Sequence, residues 1–494
     1  MLLFFTALAA MDRFSCFDSL VDFGYRDYIY NFYAAILAAF ALTTPLLLFG
    51  KASHSFYRIL LAVWLPLAAL QMYVRCVFSM NLGGDWVGII LASSADEMRE
   101  FFFARFTPFT TVCVVGFFVL CYLIIHSVRS LEPPMLSRRV VWIASIAIMA
   151  AFIVLTRISW GSTFAYLNEF MAFNLIVNTT KEYGVYRDLH NVVKNPVIPP
   201  EHGFTLSDKH ALKPICVVVI GESATRNRWS LYGYEKPTTP RLDALRDELC
   251  VFSSLRATSA NTAMAMRTLM TIQSSENPEQ TTCTLSQLLA AAGYDCTLLS
   301  NQAHWSVWDG LEPFLFADCH SLVFMEDLGL AKPWYDDALL PLFKAELQNA
   351  RPSFIFLHLM GSHIPVEERY PASFTPFPPE KHVGSWDKDH PSLCSNHYDN
   401  SIAFTDQLLA EIIRDLKATG RPCWMLYLSD HGESVSSEGW RDQKDASLWE
   451  VPMVWWCSAN FKAMKGETVA EFCAKKDDAL NTKDILQLLL LLAR

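Results

Sequence analysis

The chain has 494 residues, 52% of them apolar and 18% charged, and 40 basic against 50 acidic residues leave a net charge of −10. That length exceeds one compact unit, so two or more domains are expected. The acidic balance, without any long basic run, excludes nucleic acid as a partner, and a mean hydropathy of +0.21 is high for a wholly water-soluble enzyme.

The apolar excess sits in the first third. Four segments there are long and apolar enough to cross a bilayer: Tyr28–Phe49, Arg58–Phe78, Thr107–Ile125, and Val140–Ile153 with its flanks. Arg75 falls near the end of the second, where its side chain can snorkel to the interface. The loops at 51–57 and 126–139 are basic, holding Lys51, Arg129, Arg138 and Arg139. The segments at 12–27 and 80–106 are acidic. The positive-inside rule therefore puts the basic loops in the cytoplasm and everything after the fourth span outside. MLLFFTALAAM at the start is too short to span. It reads either as a clipped signal peptide or, preferred here because residue 12 must already lie outside, as the outer end of a shortened first span. Residues 1–157 are thus expected to form a transmembrane domain of four full spans plus that shortened one.

Residues 158–214 read as a linker. FAYLNEFMAFNLIVNTTKEYGVYRDL has the pattern of one or two amphipathic helices, lying on the membrane surface or serving as plain linker helices. NPVIPPEHG then reads as an extended hinge. Beyond it, strands are expected at 215–221, 296–301, 353–359, 423–429 and 451–456, with helices at Thr239–Leu249, Thr284–Ala292 and Asn400–Thr419. Continuous apolar strands alternating with helices imply a mainly parallel sheet covered on both faces, an α/β domain over 215–494. Of the nine cysteines in that region, Cys216, Cys296, Cys423 and Cys457 fall on expected buried strands, whereas Cys283, Cys319, Cys394 and Cys473 are freer to form disulfides. Their pairing is not readable from spacing.

Three strands end in residues suited to a metal. ICVVVIG runs into Glu222, SFIFLHL carries His358 with His363 five residues on, and CWMLYLS runs into Asp430 and His431. Alone, Glu222 is a helix cap, His358 a core histidine and the Asp-His pair a polar loop. Together, at the C-terminal edge of one sheet where open α/β folds bind ligands, they point to a metal site. A covalent mechanism needs a nucleophile beside it. RATSANTAMAMRTLMT (256–271) is rich in hydroxyls before it turns helical. Thr262 or a neighbour at that helix N-terminus would sit where backbone N–H groups favour a phosphate, and Ser259 or Asn261 could equally be a simple cap.

VVIGESATRNRWSLYGYEKPTTPRLDAL, SANTAMAMRTLM, HLMGSHIPVEERYP, YDNSIAFTDQLLAEII and LSDHGES, in that order, resemble the lipopolysaccharide phosphoethanolamine transferases of the alkaline phosphatase-like superfamily. GES and SNQ at 221–223 and 300–302 are most similar to the branch that modifies the lipopolysaccharide core. The resemblance implies a monomeric, multi-pass bacterial inner-membrane enzyme of five spans, with an alkaline phosphatase/sulfatase-like catalytic domain in the periplasm. It implies that Glu222, Thr262, Asp430 and His431 hold one Zn2+, with Thr262 the nucleophile. His358 and His363 match histidines facing the transferring phosphoryl group or a second metal, and Asn301 and Glu433 match positions near the phosphoethanolamine group. The implied donor is phosphatidylethanolamine and the acceptor a lipid A or core group of lipopolysaccharide, with membrane lipids around both. In two steps, Thr262 would take the phosphoethanolamine group, releasing diacylglycerol, and pass it to the acceptor.

The pattern is departed from just after DHGE, where several family members carry another histidine. No histidine follows His431 here. Either a second metal is absent, or His382, His390 or His397 replaces that ligand, or this enzyme has drifted from the pattern. A sulfatase activity requires a C/S-x-P-x-R nucleophile setting, which is missing around residue 262. Two alternatives stand beside the transferase: a glycerol-phosphate transferase of the same superfamily, and an inactive membrane-anchored binding protein.

Overall fold

The computed structural model describes residues 187–200, 202–204, 214–273, 281–302, 312–330, 333–351, 353–378, 391–435 and 445–493, with a few single helical positions before residue 151. Apart from those positions, the expected spans and the amphipathic stretch up to residue 186 lie outside the described residues. Among the described residues, no helix is long and apolar enough to cross a membrane. The chain divides into two compact units, residues 1–88 with 105–183 and residues 89–104 with 184–494. The elements below all belong to the second.

That unit is built on a seven-stranded sheet formed by β1 (Ile215–Gly221), β2 (Leu249–Val251), β6 (Asp295–Ser300), β7 (Ser321–Phe324), β8 (Ser353–His358), β9 (Cys423–Ser429) and β11 (Met453–Cys457). The spatial order is β2-β11-β9-β1-β8-β6-β7. A three-stranded sheet joins β3 (Leu255–Arg256), β10 (Glu450–Val451) and β12 (Leu480–Asn481), and β4 (Thr271–Gln273) pairs with β5 (Thr281–Thr284). In the main sheet β9, β1, β8, β6 and β7 run parallel, while β11 is antiparallel to both β9 and β2. The mainly parallel α/β architecture expected from the strand-helix rhythm is therefore present.

β1 and β9 coincide with their expected bounds because every one of their residues is buried, which is why both read as unbroken apolar runs. Alternate β1 residues serve opposite faces of the sheet. Ile215, Val217 and Val219 share a core with Ile402, Leu408, Leu409, Ile412, Ile413 and Leu416. Cys216, Val218 and Ile220 share the other with Leu285, Leu289, Leu488 and Leu489. Four helices matter below: α1 (Thr262–Met270), α2 (Leu285–Ala292), α3 (Pro391–Ala418) and α4 (Ile485–Ala493). The α2 start is fixed by a Thr284–Gln287 capping box.

Some expected bounds need correction. The helix read over Thr239–Leu249 is α-helical only from Pro240 to Ala244, then a 3-10 turn before Leu249 enters β2. α3 begins nine residues before Asn400 and runs 28 residues. The strand read over 451–456 is two strands: Val451 belongs to the small sheet, and Pro452, which has no N–H to give, separates it from β11. Among the cysteines, Cys473 pairs with Cys250. Cys283, expected to be freer, is a buried free thiol.

Register then builds the site. Gly221 lies opposite Ser429, Ile220 opposite His358, and Ser300 opposite His358. The C-terminal ends of β9, β1, β8 and β6 therefore fall in one row, with β6 to β8 on one side of β1 and β9 and β11 on the other. This is the switch-point crevice of an open α/β sheet.

Candidate metal centre

Glu222 follows β1 through a tight turn in which Ser223 takes φ +56°, a left-handed conformation uncommon outside glycine. Four bonds hold it there. The Ser223 N–H donates to Asp430 Oδ1 (3.2 Å), its Oγ to Glu222 Oε1 (2.8 Å), and Ser223 O accepts from the Tyr398 hydroxyl (2.6 Å), which in turn accepts from Thr225 N–H (2.8 Å). Tyr398 lies on α3, so that helix braces the turn. On the other side Gly361, at φ +52°, packs so tightly that a Cβ would come within 2.7–2.8 Å of the Glu222 backbone. Its N–H and that of Met360 donate to the buried carboxylate of Asp336, at 2.9 and 2.8 Å.

Asp430 and His431 leave β9 beside Glu222. Asp430 N–H donates to Gly221 O (3.1 Å), and Asp430 Oδ1 also accepts from His431 N–H (2.6 Å). Thr262 is the first residue of α1, capped by Asn261, whose side chain accepts from Met264 N–H (3.2 Å). Asn261 is thus the cap and Thr262 projects from the helix N-terminus, half-buried, toward the others. Its Oγ1 lies 3.2 and 3.1 Å from the two Glu222 carboxylate oxygens and 3.3 Å from His431 Nε2. His431 Nε2 is also 3.1 Å from Glu222 Oε1 and 3.5 Å from Asp430 Oδ2. The sequence-expected quartet of Glu222, Thr262, Asp430 and His431 therefore converges. Glu222, Asp430 and His431 are all within ligand reach of one point.

The donor set fits a divalent metal. His431 Nδ1 lies 2.8 Å from Gly432 O, which makes Nδ1 the protonated nitrogen and turns the Nε2 lone pair to the carboxylates. Asp430 Oδ2 is buried and, among the described residues, has no hydrogen-bond partner. The two buried carboxylates need positive charge among them, supplied either by a protonated His431 or by a cation that takes the Nε2 lone pair. Ligands about 2.0–2.1 Å from a tetrahedral zinc lie roughly 3.3 Å apart, matching the 3.1–3.5 Å separations seen here.

The electrostatics agree. Burial pushes Glu222 up, but the His431 imidazole, with His363 and His358 beyond it, outweighs that and holds the carboxyl below the usual range. Asp430 is pushed up to about 7 by burial and then by the Glu222 charge.

The other expected residues lie around this point in different ways. His358 ends β8, wholly buried; its Nδ1 pairs with Glu312 and, among the described residues, its Nε2 has no hydrogen-bond partner. His363 is half-buried in the turn after Gly361, its N–H donating to Met360 O (3.0 Å). Asn301 N–H donates to His358 O (2.8 Å), its Nδ2 to Asp336 Oδ1 (2.7 Å), and its buried Oδ1 has no partner among the described residues. Glu433 is buried, and its Oε1 accepts from Ser434 N–H (3.0 Å). His397 shares a 2.6 Å hydrogen bond with the Tyr370 hydroxyl; His382 and His390 lie outside the described residues. Glu312, Asp336, Ser223 and Tyr398 were not found by sequence reasoning. Lone polar residues, they carry no spacing signal, though the Asp336-Asp337 pair ahead of an apolar helix could have drawn notice.

The sulfatase family profile matches residues 214–490, which contain the whole sheet and the convergent quartet. Phosphoethanolamine transferase EptC of Escherichia coli (strain RS218) is 29% identical over 304 residues, covering 58% of this chain and 52% of that protein. The chain thus spans about half the length of that relative. The C-terminal periplasmic domain of Escherichia coli EptC, solved in complex with Zn, is 25% identical with a TM-score of 0.51, covering 59% of this chain and 84% of that one. The integral membrane lipooligosaccharide phosphoethanolamine transferase A of Neisseria meningitidis has the same fold at 18% identity, with a TM-score of 0.72 over 99% of this chain and 94% of that one.

Proposed function

The chain belongs to the sulfatase family, and from that premise we propose that it transfers phosphoethanolamine from phosphatidylethanolamine to a lipid A or core group of lipopolysaccharide. The observation that carries this reading is Thr262 Oγ1 at the N-terminus of α1, within 3.3 Å of both Glu222 and His431. A half-exposed hydroxyl poised over buried acceptors is the layout of an activated nucleophile.

In this reading Glu222, Asp430 and His431 hold one zinc ion, with Thr262 beside it. When bound, zinc supplies Lewis acidity, lowering the charge on the nucleophilic oxygen and on the phosphoryl group. Thr262 Oγ1 attacks phosphorus as the bond from phosphorus to the glycerol oxygen breaks. The Thr262 hydroxyl, oriented by its hydrogen bond to Glu222, gives up its proton to solvent, and His358 Nε2 gives a proton to the departing diacylglycerol oxygen. The helix N-terminus favours the phosphoryl oxygens. The unpaired Oδ1 of Asn301 and the Glu433 carboxylate serve the ethanolamine ammonium, and His363 lines the phosphoryl group. In the second half-reaction an acceptor oxygen attacks phosphorus, the Oγ1–P bond breaks and Thr262 regains its proton.

Residues 1–157 anchor the enzyme in the bacterial inner membrane, residues 158–214 link it, and the domain from 215 works in the periplasm as a monomer. The four apolar segments of the sequence support this, as does the likeness over nearly the whole chain to an integral membrane protein. The test is diacylglycerol release from phosphatidylethanolamine by the detergent-solubilised full chain supplied with lipopolysaccharide. Wild type should release it and Thr262→Ala, folded and zinc-loaded, should not; release by the variant would remove Thr262 from its role.

A further inference from the structure

Beside the metal candidates lies a second buried polar cluster. His358 Nδ1 is paired with Glu312 Oε1, and the other Glu312 oxygen accepts from Ser300 Oγ (3.0 Å). Ser300 stands opposite His358 in the β6–β8 register, and the next residue, Asn301, donates its N–H to His358 O. The ring is thus anchored from the backbone, from Nδ1 and, through Glu312, from the neighbouring strand. Its other nitrogen, though buried, has no hydrogen-bond partner among the described residues. A plain core histidine satisfies both nitrogens, because an unmet buried polar atom costs about 1–3 kcal/mol. The asymmetry, Nδ1 held by a carboxylate that is itself braced by Ser300 while Nε2 stays unpaired, is that of a base oriented by a carboxylate. Charged groups facing the ring are Glu312, Glu222 and Asp430. Burial pulls the imidazole down, but Glu312 first and then the other two overturn this and hold it at about 9.

We propose that Glu312, braced by Ser300, is a positioning residue for phosphoethanolamine transfer: it accepts the hydrogen bond from His358 Nδ1–H and fixes the ring so that Nε2 meets the leaving oxygen of the donor phosphodiester. This rests on the transferase reading above. The protons balance. As the bond from phosphorus to the glycerol oxygen breaks, that oxygen takes the Nε2 proton, leaving a neutral ring whose Nδ1–H is still held by Glu312. In the second half-reaction Nε2 takes the proton of the attacking acceptor hydroxyl, and the ring returns to its starting state.

The test uses the full chain with Glu312→Gln, Glu312→Asp and Ser300→Ala, measuring kcat and KM for phosphatidylethanolamine, zinc content, and 15N signals of labelled histidine. Glu312→Gln should keep zinc and KM within about twofold and lower kcat roughly ten- to hundredfold, with Glu312→Asp recovering part of the loss. Its basic limb in the kcat profile should move to lower pH, a change that a merely structural role does not produce. A kcat within about twofold of wild type, or a kcat loss matched by zinc loss, overturns the proposal. If Glu312→Gln does not fold, Ser300→Ala must still lower kcat by about threefold or more. The 15N spectrum decides independently of turnover. One histidine should show a strongly hydrogen-bonded Nδ1–H that Glu312→Gln abolishes, and an unchanged signal overturns the proposal. Wild type that releases no diacylglycerol sinks the transferase reading, while the 15N result still tells whether Glu312 orients the ring.

Discussion

Replacing Gly361 by alanine tests whether the turn after β8 sets the position of Glu222. Gly361 sits at φ +52°, and a Cβ there would approach Glu222 O and N at 2.7 and 2.8 Å. Left-handed backbone costs a non-glycine residue about 1–2 kcal/mol. Relieving a backbone clash in a packed site adds about 1–3 kcal/mol. The neighbour cannot yield cheaply, since Glu222 O already accepts from Ser362 N–H (2.9 Å) and the carboxylate belongs to the metal candidates. Gly361→Ala should therefore lose roughly 2–5 kcal/mol, a fall in apparent melting temperature of about 5–15 °C, and should bind less zinc. Differential scanning fluorimetry and metal analysis on the purified full chain read both. Wild-type melting with full zinc content would show that the turn does not constrain Glu222.

Other perturbations check separate links. Tyr398→Phe removes the hydroxyl that bridges Ser223 O and Thr225 N–H; denaturation should show a loss of about 1–3 kcal/mol. Cys250→Ser with Cys473→Ser removes the crosslink spanning 223 residues and should cost about 2–5 kcal/mol, visible as a lower melting temperature that reductant no longer affects. In metal-free protein the raised His358 value gives a defined pH dependence. Its folded-state value of about 9 lies above the ordinary histidine value of 6.5, so its contribution to stability is complete below 6.5 and lost as pH rises through 9. Glu312→Gln should flatten the fall in melting temperature across that window.

Much of this was written in the sequence, for reasons particular residues make plain. ICVVVIG and CWMLYLS are buried on both faces, so burial itself spelled them out, and their ends marked Glu222, Asp430 and His431. Helix α3 is legible in the sequence only from Asn400 because its first turns carry Ser395, Tyr398 and Asp399 for other work. Tyr398 braces the Ser223 turn, while Asp399 meets Arg228 and Lys236. Those polar contacts erase the apolar stripe on which helix recognition depends. Glu312 was illegible because its partner His358 is 46 residues away, a separation without any local period. The left-handed Ser223 likewise looks like an ordinary serine until Tyr398 and Asp430 are seen holding it.

The central claim is that Thr262 carries the phosphoethanolamine group between donor and acceptor. Intact mass spectrometry of the full chain incubated with phosphatidylethanolamine, without lipopolysaccharide, tests it most directly. The expected result is one phosphoethanolamine adduct, mapped to Thr262, that disappears when acceptor is added and never forms on Thr262→Ala. An unmodified Thr262 under turnover, an adduct on another residue, or a glycerophosphate group in its place would contradict it.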